Sequence, residues 1–252
     1  MPRAAGTARG RGAERGEQVA AERIAGADWA AVGAALDQEG FATIAGLLSA
    51  ETCARLADSY ADEARFRSRI DMSRHGFGRG EYKYFAYPLP PLVEMLRGHL
   101  YRHLAPVASR WFERMGREDR FPAEHPAFLA RCHAAGQRRP TPLLLRYEAG
   151  GYNCLHQDLY GATVFPIQVA VLLSLPGRDF SGGEFVLVEQ RPRMQSRASV
   201  VPLGQGDAVI FAVSERPVAG RRGDYRVTMR HGVSRIHGGR RCTLGIIFHD
   251  AT

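Results

Sequence analysis

His156 and Asp158, in the stretch NCLHQDLYG (153–161), stand two positions apart where charge is otherwise sparse. On an extended strand, side chains at i and i+2 project to one face, so an imidazole and a carboxylate could converge on one ion. A bare H-x-D equally describes a half-buried strand whose His and Asp are hydrogen-bonded separately. A metal site needs at least one more donor from a distant strand, and three histidines lie downstream: His231, His237 and His249. His231 falls in the alternating run YRVTMRHGVSRI, late in the chain, where it could close a set of two histidines and one carboxylate. His237 precedes Gly238 and Gly239 in an expected turn, and His249 is almost at the end; both are expected at the surface.

Such a triad leaves three cis positions free on an octahedral ion, the arrangement diagnostic of non-haem Fe(II) oxygenases. Ten positions after His231 comes Arg241, in GGRRCTLGIIF, expected on the neighbouring antiparallel strand beyond the Gly238-Gly239 turn. Alternation lets only one of Arg240 and Arg241 point inward, and the spacing selects Arg241, with Thr243 on the same face. A permanently charged guanidinium inside a β-barrel must be paired, and a bidentate carboxylate is its natural partner. No acid nearby in sequence fills that role, which leaves a carboxylate-bearing cosubstrate.

Elements that could carry these residues follow from patterning. Residues 1–20 are rich in Gly, Ala and Arg without apolar periodicity and read as a disordered basic tail. Residues 21–252 read as one domain, helical over 27–140 and β-rich over 141–250. In the first part, a helix with a Gly40 stop precedes the short strand FATIAG, and Ser49 can cap a second helix. PPLVEMLRGHLYRHLAPVASRWFERMG gives another helix, with a kink or boundary expected at Pro106, and HPAFLARCHAAG a last one. After Pro140, short apolar runs alternate with Gly, Pro, Asp and Asn, the pattern of a closed or two-sheet all-β body.

Among its 252 residues, 34 Lys and Arg against 26 Asp and Glu give a formal charge of +8. Lys83 is the only lysine, so the arginine excess looks as much like compositional drift as a polyanion-binding surface. No apolar run of about 18 residues occurs that could cross a bilayer. The start has no secretory signal pattern, and the four cysteines form no C-x-x-C pair. The expected setting is cytoplasmic, with reduced thiols.

YEAGGYNCLHQD, SGGEFVLV, QGDAVIFA and HGVSRIHGGRRCTLGIIF, in that order, together resemble the Fe(II)/2-oxoglutarate-dependent dioxygenases, most closely their prolyl-4-hydroxylase-like branch. The likeness spans roughly residues 142–249. It implies a double-stranded β-helix, or jelly-roll, core buttressed by helices. It makes His156, Asp158 and His231 the iron ligands and Arg241 the partner of the 2-oxoglutarate C5 carboxylate. Tyr147 matches a family tyrosine that contacts 2-oxoglutarate. The implied reaction consumes oxygen, decarboxylates 2-oxoglutarate to succinate and CO2, and hydroxylates or oxidatively demethylates a substrate. Halogenating relatives lack the carboxylate that Asp158 supplies.

Other residues have plainer readings. His99 and His103 are four apart on a helix but lack a metalloprotease Glu, so solvated histidines are expected. Cys154 is expected to be a small buried packing residue and Arg146 an outward, structural one. Residues 65–90 form either a substrate lid, with Arg65, Arg67, Arg69, Tyr82, Lys83 and Tyr84 as its reactive surface, or a hairpin extending the larger sheet. EQRPRMQSRASVVPLGQGD holds a second basic loop, at the barrel mouth or merely solvated. A small metabolite or a peptide side chain is the expected substrate, with alkylated nucleic acid ranked behind them. Competing readings are a non-catalytic metal-binding jelly-roll, acting as sensor or structural module, and a zinc hydrolase using the same three side chains; neither needs Arg241.

Overall fold

The computed structural model describes residues 4–252, with side chains from residue 12 onward. Its helices are α1 (Ala4–Ala25), α2 (Trp29–Glu39), α3 (Ala50–Asp58), α4 (Pro91–Arg114) and α5 (His125–Ala134). Its strands begin with β1 (Phe41–Ile44), β2 (Phe66–Asp71), β3 (Gly78–Arg79), β4 (Glu81–Phe85), β5 (Leu143–Glu148), β6 (Tyr152–His156) and β7 (Ile167–Leu172). They continue with β8 (Phe180–Gly182), β9 (Phe185–Gln190), β10 (Arg197–Val201), β11 (Ala208–Ala212), β12 (Glu215–Gly220), β13 (Gly223–Val233) and β14 (Ile236–Ile246). All the paired strands run antiparallel, in two sheets. The larger is ordered β1-β11-β7-β14-β5-β4-β2, with β8 beside β14; the smaller is β10-β9-β13-β6-β3, with β12 beside β13.

Local chemistry accounts for the helix limits. Asp28 accepts from Ala31 N at the start of α2, Gly40 ends it in the left-handed conformation, and Ser49 accepts from Thr52 N at the start of α3. The larger sheet then divides by alternation. Leu144, Val169, Val171, Leu244 and Ile246 join Leu96, Leu100 and Leu104 of α4 in one buried apolar cluster. The alternate residues Leu145, Tyr147, Gln168, Ala170, Arg241 and Thr243 line a cavity on the opposite face.

Several expectations are corrected. The tail is not disordered where it is described: α1 packs on α4, with Ala20 and Ile24 buried. Composition judged that segment alone, whereas docking supplies the apolar burial that offsets its ordering; residues 1–3 lie outside the described region. The N-terminal half is not purely helical, because β1, β2 and β4 all belong to the larger sheet. Pro106 neither ends nor bounds α4. It sits on the exposed face, while its neighbours Leu104, Ala105, Val107 and Ala108 are buried, and packing outweighs one lost backbone bond.

Residues 65–90 extend the larger sheet as the β2-β4 hairpin, β4 pairing with β5. The side chains offered as a reactive surface are mostly engaged. Arg65 pairs with Asp62, Arg69 with Glu81 and Lys83 with Glu63, while Arg67 donates to Pro140 O. Lys83 and Tyr84 are buried, and only Tyr82 of the set reaches the cavity. Among the described residues, no helix is long and apolar enough to cross a membrane.

The C-terminal segment is held by a buried ion pair. Arg97 of α4 donates to Asp250 Oδ1 at 2.7 Å and to Ile247 O at 2.8 Å, and both partners are almost fully buried. Arg97→Leu leaves the Asp250 carboxylate without its cation, so it should cost about 3–5 kcal/mol. Urea unfolding checks this; an unchanged midpoint would mean that His133 and Tyr87 satisfy Asp250 by themselves.

Candidate active site

His156 is the last residue of β6 and pairs directly with His231 of β13, which fixes both imidazoles on the inner face of the smaller sheet. Asp158 follows just beyond the strand. His156 Nε2 lies 3.5 Å from Asp158 Oδ1, and His231 Nε2 lies 3.4 Å from Asp158 Oδ2. One ligand atom from each of the three falls within 4.8 Å of the others. His156 Nδ1 contacts Cys154 O at 2.8 Å, a bond that orients the ring with Nε2 inward.

Electrostatics tie the three together. Burial would raise the Asp158 carboxyl, but the two imidazoles hold it well below the usual range. Burial would lower His156, but hydrogen bonding and charge attraction to Asp158, with the backbone bonds to Cys154 and His231, together raise it. His231 is lowered by burial and by His156, more than Asp158 restores. Two imidazoles around one buried carboxylate thus call for positive charge between them, from a proton or a metal cation.

Across the cavity, Arg241 and Tyr147 are direct cross-strand partners on β14 and β5. Arg241 is 2% exposed and Tyr147 0%. Arg241 Nη1 donates to Thr243 Oγ1 at 2.6 Å, while Arg241 Nε and the Tyr147 hydroxyl have no hydrogen-bond partner. No carboxylate pairs with Arg241 among the described residues. Burial pulls its guanidinium below the usual range, with Tyr147 opposing, and pushes the Tyr147 phenol up. Backbone approaches closely here: a Cβ on Gly183, at φ +68°, would meet Ile236 Cδ1 at 2.2 Å and Arg241 Cδ at 3.1 Å. Only glycine fits beside the guanidinium. Triad, Arg241, Tyr147 and Thr243 all line one cavity of about 190 Å³. Orphaned donors facing three convergent ligands fit a divalent metal together with a small carboxylate anion.

Residues 80–251 match the Oxygenase-NA family, described as oxygenases catalysing oxidative methylation of damaged DNA. The chain belongs to this family. An uncharacterized protein of Mycobacterium tuberculosis, Rv2227, is 48% identical over 167 residues, which cover 66% of this chain and 72% of that protein. Three solved structures share the fold of this Oxygenase-NA member. A Pseudomonas putida prolyl-4-hydroxylase superposes with a TM-score of 0.52 at 14% identity, covering 86% of this chain and 96% of that one. A 2OG-Fe(II) oxygenase-family oxidoreductase from Burkholderia pseudomallei gives 0.51 at 16%, covering 90% and 94%. A Trichoplax adhaerens prolyl hydroxylase in complex with a hypoxia inducible factor peptide fragment gives 0.53 at 14%, covering 94% and 91%. The expected jelly-roll preceded by helices is therefore the architecture of the Oxygenase-NA chain.

Placement differs from expectation in some details. Arg241 is not on a strand adjacent to His231. β13 belongs to the smaller sheet and β14 to the larger, so the two face each other across the cavity. Gly238 and Gly239 are part of β14 and pair with β8 rather than forming the turn. Arg240 faces solvent and pairs with Glu148, and Arg146 pairs with Glu81. Cys154 is exposed rather than buried, because the outer side of β6 is uncovered. His237 is exposed, but His249 is fully buried, its Nδ1 accepting from Phe165 N at 3.2 Å. His103 stacks on Trp29 at 4.2 Å.

Sequence reasoning missed Tyr160, which donates to Asp158 Oδ1 at 2.6 Å, and Gln168, which is buried and lines the cavity. Gln168 did leave a signal, as the lone polar residue of the run FPIQVAVLL.

Burial lowers His249 from its ordinary value of 6.5 to about 4 and His125 from 6.5 to about 3. The unfolded chain therefore takes up a proton on each below about pH 6.5 while the folded chain does not. Stability should fall between about pH 6.5 and 4, by up to ~1.4 kcal/mol per pH unit for each histidine. Denaturant unfolding of wild type and His249→Gln across that range checks it: the variant should lose one such share of the slope, and an identical slope would refute a buried neutral His249.

Proposed function

We propose that this chain is an Fe(II)/2-oxoglutarate-dependent dioxygenase whose substrate is an alkylated nucleobase in DNA. The observation that carries the cofactor reading is Arg241, a buried guanidinium without an acid, opposite two histidines and a carboxylate in one cavity. Fe(II) would be held by His156, Asp158 and His231, and 2-oxoglutarate by Arg241, Thr243 and Tyr147. Together the iron and keto acid supply oxygen activation, converting 2-oxoglutarate to succinate and CO2 and oxidising a substrate C–H bond.

Charge supports this occupancy. One carboxylate, one dication, one dicarboxylate and one guanidinium sum to zero, so the loaded cavity carries no uncompensated charge into the interior. Arg241 supplies a forked donor set that a C5 carboxylate can accept bidentately, and Thr243 fixes the guanidinium from its other side. The Tyr147 hydroxyl is positioned as a further donor. Phe185, Phe211 and Val233 line the same cavity and keep water from the reacting centre. A sensor or a zinc hydrolase has no use for a buried anion site, although the three ligand types by themselves do not choose the metal.

The family description supports nucleic acid as substrate, which the sequence alone ranks behind a small metabolite or a peptide side chain. Phe77 lines the cavity and is exposed, and Arg79 and Arg235 line a second hollow with the exposed Tyr152 and with Asp71. Neither arginine has an acidic partner among the described residues. Exposed aromatic faces beside unpaired cations suit stacked bases and phosphates. Oxidation of an N-methyl carbon would give a carbinolamine, which loses formaldehyde and restores the base. An exposed free thiol at Cys154 suits a reducing, cytoplasmic setting.

Purified protein with Fe(II), 2-oxoglutarate and oxygen should form succinate, and His156→Ala should abolish it. Arg241→Ala should weaken 2-oxoglutarate binding by about two orders of magnitude, as expected for an uncompensated buried charge. Absence of succinate from folded, iron-loaded protein overturns the cofactor reading. Formaldehyde from a methylated oligonucleotide tests the substrate, and Arg79→Ala with Arg235→Ala should reduce the salt dependence of binding. Succinate without formaldehyde from any methylated oligonucleotide would leave the oxygenase and remove the nucleobase assignment.

A further inference from the structure

Asp158 lies beyond the last residue of β6, so no sheet ladder holds its backbone, yet a metal-ligating carboxylate must be held closely. The loop it opens is fastened instead by side chains. Gln157 Nε2 donates to Met229 O at 2.9 Å and Ser214 O at 3.2 Å on the upstream side. Downstream, the fully buried Gln137 reaches three carbonyls through Nε2: Tyr160 O at 3.0 Å, Thr163 O at 2.9 Å and Asp250 O at 2.6 Å. Its Oε1 accepts from Thr163 N at 2.7 Å. The loop wraps this amide tightly: Gly161 has φ +108°, and a Cβ there would sit 2.5 Å from Gln137 Cδ.

Between these two fastenings stands Tyr160. Its ring meets Tyr84 edge-on, with centroids 6.2 Å apart and planes at 88°, and its hydroxyl donates to Asp158 Oδ1 at 2.6 Å. Asp158 Oδ2 lies 3.4 Å from His231 Nε2, and Oδ1, besides meeting Tyr160, lies 3.5 Å from His156 Nε2. A carboxylate turns readily about its terminal torsion, and the hydroxyl removes that freedom.

We propose that Tyr160 is a positioning residue for Asp158, engaging Oδ1 so that the carboxylate is held in one orientation between His156 and His231, and that Gln137 sets Tyr160 by clamping its loop. The proposal rests on the metal-ligand reading above. Hydrogen bonds to metal ligands fix the ligand's orientation and basicity, and their loss costs about 10–100-fold in metal affinity.

Co(II), an oxygen-tolerant probe for an Fe(II) site, tests it by titration into the metal-free full-length chain, followed by its d–d absorption. Tyr160→Phe should bind Co(II) about 10–100-fold more weakly, with an altered band and an unchanged melting temperature of the metal-free protein. Gln137→Glu keeps the acceptor for Thr163 N but loses the donated bonds; it should weaken Co(II) in the same direction and also lower the melting temperature. Tyr160→Phe binding Co(II) as tightly as wild type, with the same band, overturns the proposal. So does a loss of affinity matched by a fall in metal-free melting temperature, which would make Tyr160 merely structural. A wild-type band that His156→Ala leaves intact would instead overturn the ligand reading itself, and this inference with it.

Discussion

A guanidinium buried without an acid is the constraint around which the β-core is arranged. Arg241 cannot shed its charge at any working pH, and removing it from water costs several kcal/mol unless something compensates. Inside the protein it has one neutral hydroxyl, Thr243, and the ring of Phe180 5.8 Å away. Those contacts are too weak to justify the burial, so the site is built for a charge that arrives with a ligand. Tyr147 carries the same signature in a milder form, as a buried hydroxyl with no partner directly across the strand pair.

The route of the chain explains how the ligand set and the guanidinium come to face one another. β13 ends at Val233 in the smaller sheet and β14 begins at Ile236 in the larger, so two residues carry the backbone across. Ser234 N bonds to Glu184 O and Gly183 N to Arg235 O, which pins the crossing to the start of β9. The separation of His231 from Arg241 is thus set by the spacing of two packed sheets rather than by a flexible loop. Helices pack on the larger sheet and also reach the smaller one at β12. β7 and β11 are buried along their whole length, whereas β6 leaves Tyr152, Cys154 and Leu155 exposed. The wall with buried β7 and β11 carries Arg241 and Tyr147, and the wall with exposed β6 carries His156 and His231.

Period-two alternation made much of this site legible. Arg241 and Thr243 share a face because β14 alternates, and the choice of Arg241 over Arg240 needed only that rule, whereas His156 and Asp158 converge although Asp158 lies beyond the end of β6. What alternation does not carry is sheet membership, so β14 was read as the neighbour of β13 when it lies opposite. Docking was equally invisible: α1 is helical because α4 gives Ala20 and Ile24 a surface, and Pro106 stays within α4 because its neighbours are packed. His249 and Lys83 looked solvent-bound from position and charge, yet a backbone donor and a carboxylate meet them inside. Tyr160 was unmarked because its role depends on the fold of an irregular loop.

Net charge says little about a partner for a related reason, because it counts cations without asking which are already neutralised. Arg55, Arg65, Arg69, Arg102, Arg110 and Arg114 each contact a carboxylate within the chain. Cations answered by internal acids give little net attraction for a polyanion at physiological salt. Arg79 and Arg235 differ: both are exposed, neither has an acidic partner among the described residues, and both line one hollow with Tyr152. Two unanswered charges beside exposed aromatic rings say more about a partner than a formal excess of +8 spread over the whole chain.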